Sequence, residues 1–142
     1  TYNGGGDAFV SRLNSGLTTL QRSTFLGGTG ADVGYSLIRS GGFVYVTGTT
    51  ASSDFPMPFV GAFDITYNGG GDAFVSRLNS GLTLLPASTF LGGSSADWGT
   101  SLTLGIGGVY VTGMTASPTF PVTSGAYNGG GDAFVSKLNS GL

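Results

Sequence analysis

The sequence predicts an all-β chain of tandem four-stranded antiparallel units, of the kind that form β-propeller blades, and three observations carry that reading. One motif, Tyr-Asn-Gly-Gly-Gly-Asp-Ala-Phe-Val-Ser-Arg-Leu-Asn-Ser-Gly-Leu, is written three times: residues 1–17 and 66–82 are identical, and 126–142 depart only at Ala126 and Lys137. Such self-similarity at a fixed period marks a repeat array. Glycine supplies 28 of the 142 residues while only 8% are charged, a profile of turns and apolar strands rather than of disorder. The runs between glycines are short and rich in Val, Tyr, Phe and Thr, the residues that suit a pleated sheet.

The elements follow in order. Asp7 to Leu13 reads as a strand, Asn14-Ser15-Gly16 as a three-residue turn with its glycine at positive φ, and Leu17 to Leu26 as the returning strand of a hairpin. Val33 to Arg39 and Phe43 to Thr49 form the next two strands around the turn at Gly41-Gly42. The long connection from Thr49 to Gly71 carries Phe55, Phe59 and Phe63 and is too apolar for a free linker, so it is expected to fold back on the strands. Strands at Asp72 to Leu78 and Leu82 to Leu91 complete one unit. Pro86 falls inside the last of these, and a proline offers no N–H to a neighbour, which places that strand at an edge. The small residues Gly34 and Ser36, with Gly99 and Ser101 in the next unit, mark a first strand where sheets converge. The pattern then recurs at an offset of 65 and, for the opening motif, of 60. The missing five residues belong to the later long connection, where a surface loop tolerates them.

This divides the chain into residues 1–28, the third and fourth strands of one blade, 29–93, a complete blade, and 94–142, a blade without its fourth strand. Propellers close with roughly four to eight blades, so one copy forms an incomplete array. The opening inside a repeated motif, without Met, predicts a processed chain or a segment of a longer one. Uncovered blade faces require either further blades or copies of the same chain, joined head to tail into a ring or a filament. Leu17 to Leu26, with Leu17, Leu20, Phe25 and Leu26 as its apolar contacts, reads as an assembly strand that could complete another copy's last blade. The redundancy of Asp7 to Leu13 with Asp132 to Leu138 stands against that exchange.

Several linked motifs in fixed order carry a resemblance: Gly-Gly-Gly-Asp-Ala-Phe-Val-Ser-Arg-Leu, Ser-Thr-Phe-Leu-Gly-Gly, Ala31-Asp32-Val33-Gly34-Tyr35-Ser36, Val44-Tyr45-Val46-Thr47-Gly48 and Ser53-Asp54-Phe55-Pro56. Over essentially its whole length the chain resembles the bacterial beta-propeller repeat family known as SBBP. The resemblance implies tandem blades in secreted or surface-exposed bacterial proteins, and no catalytic residues to carry over. The next blade departs from the pattern at Pro118-Thr119, where Ser53-Asp54 stood, which weakens Asp54 as a repeated ligand.

Chemistry is sparse. The chain has no His, Cys or Glu, seven Asp and five Lys or Arg, for a net charge of -2. The usual general bases, thiol nucleophiles and thiolate metal sites are therefore missing, which predicts a non-enzymatic protein. No basic stripe is available to neutralise phosphates, so nucleic acid is not an expected partner. No apolar run approaches the 18 or so residues of a membrane helix. The triple glycines before Asp7, Asp72 and Asp132 precede strands rather than a helix, so the aspartate is expected to cap a tight turn rather than to frame a phosphate. Asp32 and Asp97 recur once per blade and are weak Ca²⁺ candidates, since calcium takes six to eight oxygens; an Asx-type turn holding the blade entrance fits better. Trp98, standing where the previous blade has Val33, is a possible glycan contact or a packing residue. Tyr45 and Tyr110 read as core between blades, and Arg12, Arg77 and Lys137 as rim charges or partners for a neighbouring Asp. The expected function is a structural or adhesive repeat of an extracellular or cell-surface protein, with a glycan-binding propeller module as the alternative.

Overall fold

The computed structural model of the chain describes residues 1–58 and 61–142; Phe59, expected to fold back on the strands, lies outside them. Among the described residues all regular structure is β. Nine strands run β1 (Ala8–Leu13), β2 (Leu20–Leu26), β3 (Asp32–Ser40), β4 (Phe43–Thr50), β5 (Asp72–Asn79), β6 (Ala87–Leu91), β7 (Asp97–Gly105), β8 (Gly108–Thr115) and β9 (Asp132–Leu138). They form antiparallel sheets of two, four and three strands, ordered β1-β2, β3-β4-β5-β6 and β7-β8-β9, each strand beside its neighbour in sequence. No described helix is long and apolar enough to cross a membrane.

The sheets pack face to face through two cores. Between the first and second sheets lie Ala8, Val10 and Leu26 on one side and Val44, Val46, Phe74, Leu78 and Phe90 on the other. Between the second and third lie Tyr45, Ala73, Val75 and Leu91 against Leu102, Val109, Val111, Phe134 and Leu138. Alternation along β5 explains this: Phe74 and Leu78 point back to the first sheet, Ala73 and Val75 forward to the third, and all are buried. A strand buried on both faces shows no polar alternation, as its sequence shows none.

Glycine permits two kinds of close approach, one between sheets and one between neighbouring strands of the same sheet. A Cβ on Gly99 would fall 2.2 Å from the Thr47 hydroxyl of the second sheet, as expected of a crowded first strand, whereas one on Gly34 would meet only Ala8 and Val46 at an ordinary 3.7 Å, because the first sheet is two-stranded. The second was not foreseen. β3 bulges between Gly34 and Ser36, β7 between Gly99 and Ser101, and the carbonyls of Val33 and Trp98 stand 1.8 Å from where a Cβ on Gly48 or Gly113 would be.

Three local expectations are corrected. The hairpin loop is longer than Asn14-Ser15-Gly16, because Asn14 Oδ1 accepts the N–H groups of Thr18 and Thr19 at 2.8 and 3.1 Å. The positive φ falls on Leu17, Leu82 and Leu142 (55, 54 and 64°), and the preceding glycines do not adopt it. Pro86 lies outside the fourth strand, which begins at Ala87; the corresponding β2, with Gln21 in place of proline, starts at Leu20. The edge position of β6 stands as expected. In the long connection Phe55 is buried against Phe74 and Phe90, but Phe63 is exposed.

Candidate functional site

Two features repeat at the sheet junctions and are built from the motifs the sequence singles out. The first is the triple-glycine turn. All nine glycines of the three copies have positive φ, from 63° at Gly5 to 120° at Gly4, a conformation that side-chain-bearing residues adopt only at a cost. The aspartate after each turn closes it: Asp7, Asp72 and Asp132 accept the N–H of Asn3, Asn68 and Asn128 at 3.0, 2.8 and 2.5 Å. The turn then receives the first strand of the following sheet, since Asp32 N–H donates to Gly6 C=O at 2.7 Å and Asp97 N–H to Gly71 C=O at 2.8 Å. Gly70 sits so close that its Cβ would lie 2.5 Å from the Ser95 carbonyl carbon, whereas Gly130 has nothing within 4 Å.

The second feature is a pair of carboxylates at each junction. Asp32 and Asp97 are buried, and each locks a loop: Asp32 Oδ2 accepts Gly28 N–H and the Ser52 hydroxyl at 2.9 and 2.8 Å, Asp97 Oδ2 accepts Gly93 N–H and the Ser117 hydroxyl, both at 2.8 Å. The donor amide lies four residues upstream, so this is a closed loop at the start of the strand rather than an Asx turn. Across the junction stands the turn-capping aspartate. Asp72 Oδ1 and Asp97 Oδ2 lie 2.7 and 2.8 Å from the single point a Cβ on Gly92 would occupy, and Asp7 and Asp32 flank Gly27 in the same way. The second oxygens of Asp7, Asp32, Asp72 and Asp97 have no hydrogen-bond partner among the described residues. Burial pushes the Asp72 carboxyl up to about 7, opposed by the Asn68 N–H and reinforced by the charges of Asp97 and Asp64.

This pairing was missed from sequence, although Asp7 and Asp32, and Asp72 and Asp97, share a separation of 25 residues that signals it. As calcium candidates, Asp32 and Asp97 bring only one further carboxylate each, and no group of three or more Asp, Glu, His or Cys forms among the described residues. Asp54 is exposed and held below the usual carboxylate range by the Thr29 N–H. Its Oδ1 accepts from Thr29 N–H and hydroxyl at 2.8 and 3.0 Å. Thr119 takes over the amide contact in the next unit, accepting Ser94 N–H at 2.9 Å, so the repeated role is loop closure.

The remaining residues disperse. Trp98 is half-buried on β7 opposite Met114 and lines none of the larger cavities. Tyr45 is core, as expected, but Tyr110, with no sheet beyond it, is only half-buried and carries the Lys137 ammonium 5.5 Å from its ring. Arg77 does not seek an aspartate: its guanidinium lies 4.9 Å from the Phe43 ring and donates to Ser140 C=O at 2.6 Å, tying the second sheet to the third. Of the proposed assembly contacts Leu17, Leu20 and Phe25 are exposed, at 75, 60 and 47%, whereas Leu26 is buried within the chain.

A cavity of about 390 Å³ runs along the open edge of β9 and is lined by Leu91, Phe120, Tyr127, Phe134 and Val135. A smaller one of about 250 Å³ lies near Asp64 and Gly92, and one of about 400 Å³ lies between Asp7 and Asp32 beside the first sheet. No family model matches the chain, and no curated protein matches it.

Proposed function

We propose that the chain is a non-enzymatic structural repeat whose sheets are β-propeller-type blades, and that it works by packing onto further copies of itself or further blades. One observation carries this reading. Positions buried between sheets inside the chain are exposed at its two ends: Phe9 and Phe25 are 67 and 47% exposed where Phe74 and Phe90 are buried, and Val135 is 77% exposed where Val75 is buried. The leading face of the first sheet and the trailing face of the third are thus the two halves of a contact already made twice within the chain. Each large side chain on such a face is worth about 1.5–3 kcal/mol when covered, so self-association has a substantial driving force. The motif resemblance to the bacterial SBBP repeats supports an extracellular or cell-surface setting and a head-to-tail array, ring or filament.

Light scattering over a range of concentrations, with electron microscopy on the same fractions, tests this. Particles of a few chains or open-ended filaments support it. A folded monomer at every concentration overturns it.

A further inference from the structure

Self-association, as proposed for this chain, leaves open how two copies meet, and the mode of contact inferred for them rests on that proposal. The cavity along β9 has a counterpart inside the chain. In the second sheet Phe55 and Tyr67 stand 6.2 and 6.0 Å from Phe90 of β6, and Phe55 stacks on Phe74 at 4.6 Å. In the third sheet Phe120 stacks on Phe134 at 4.5 Å in the same way, and the place corresponding to Phe90 is the cavity lined by Phe120, Tyr127 and Phe134. It is the seat of a fourth strand. β2 is such a strand, with Phe25 already 6.0 Å from Tyr2 as Phe90 is from Tyr67.

A second observation decides how β2 arrives. Leu37 on β3 and Leu102 on β7 hold the same repeat position, yet Leu37 is 55% exposed and Leu102 only 8%. Leu102 belongs to the core that the four-stranded second sheet forms with the third; Leu37 faces a two-stranded sheet that lacks its first two strands. Stacking whole end sheets on one another leaves Leu37 uncovered. Drawing out β2 alone breaks its ladder with β1, which runs from Ala8↔Leu26 to Leu13↔Leu20. A third arrangement does neither, because β1 and β9 carry the same residues except at Arg12 and Lys137.

We propose that the β1-β2 hairpin of a second copy displaces β9, so that its β1 pairs with β8 and the two copies share one sheet ordered β7-β8-β1-β2. Phe9, Leu13 and Leu17 of the incoming copy take the places of Phe134, Leu138 and Leu142, and Phe25 fills the cavity. β7 and β8 become the missing strands beside the incoming β1 and cover Leu37. Losses at β9 are matched by gains at β1, so the net drive comes from the fourth strand and the covered face. The redundancy of Asp7 to Leu13 is then no obstacle, since the displaced strand is the redundant one.

The register gives the test. Thr112 stands opposite Val135, so an exchanged β1 brings Val10 opposite Thr112 of the other copy, within the reach of a disulfide between directly opposed strands. The chain has no cysteine, so the Val10→Cys, Thr112→Cys double variant reports without background. Oxidation during assembly is expected to give chains linked through residues 10 and 112, resolved by peptide mapping. A Thr112→Cys, Val135→Cys variant, oxidised as monomer, pins β9 in place and is expected to lose assembly, with reduction restoring it. Assembly without a 10–112 link, or undiminished assembly of the pinned chain, overturns the exchange while leaving self-association standing. Failure of the unmodified chain to associate overturns both.

Discussion

Phe55 and Phe74 stack with ring centroids 4.6 Å apart, and Phe120 repeats the contact on Phe134 at 4.5 Å. The two pairs differ in what lies beyond them: Phe90 packs on Phe55 at 6.2 Å, whereas Phe120 borders the open cavity. Phe55→Ala is expected to cost about 3–5 kcal/mol, and Phe120→Ala clearly less in the monomer. Urea unfolding of the two variants at low concentration checks the order; equal losses would show that the cavity side contributes nothing.

The buried Asp72 carboxyl makes stability depend on pH. The folded chain holds the Asp72 proton up to about pH 7, whereas an ordinary aspartate releases it near 3.8. Between those values the folded state binds more protons than the unfolded one, so stability falls as pH rises through that window. Asp72→Asn keeps an acceptor for the Asn68 N–H and removes the charge. It is expected to raise the melting temperature at pH 8 by several degrees and to flatten the profile between pH 4 and 7. A variant that melts lower at pH 8 than the parent would refute the burial cost assigned to the Asp72 charge.

Gly70 and Gly130 share a repeat position and a φ of 74 and 73°, but only Gly70 is pressed against Ser95. Gly130→Ala is expected to cost about 1 kcal/mol, the strain of a left-handed alanine. Gly70→Ala carries the same strain plus displacement of the loop, and its midpoint in urea should fall further. Matching midpoints would mean that the turn does not support the junction.

Leu82 and Leu17 form another such pair, one buried and the other 75% exposed. Leu82→Ala is expected to destabilise the monomer by about 2–5 kcal/mol. Leu17→Ala should leave monomer unfolding nearly unchanged and weaken assembly, which sedimentation at graded concentrations would resolve.

Most of the strand map was legible because the sequence is repeated: Val44-Tyr45-Val46 and Val109-Tyr110-Val111 announce the same strand twice, and the copies confirm one another's boundaries. Local chemistry was harder. Gly16 reads in sequence as the left-handed residue, but hydrogen bonds donated by Thr18 and Thr19 N–H to Asn14 Oδ1 lengthen the loop, and that conformation falls on Leu17. Leu82 and Leu142 bear it with their side chains buried, a tertiary contribution that a three-residue window cannot reveal. Phe55 and Phe63 read alike in sequence and separate only because one reaches the Phe74 ring. The aspartate pairs are not visible in any local stretch, because their meeting depends on the crossing from one sheet to the next.

The near-identity of β1, β5 and β9 also bears on how the chain reaches its fold. Each of these strands carries the side chains that β4 or β8 accepts, so a denatured chain faces several pairings of almost equal energy, and the native one is favoured mainly by connectivity. Refolding from the full-length unfolded state is therefore exposed to kinetic traps in which the wrong copy occupies a ladder. During synthesis the order of emergence removes that competition: β1 is already paired with β2 before β4 appears, and β5 meets β4 before β9 exists.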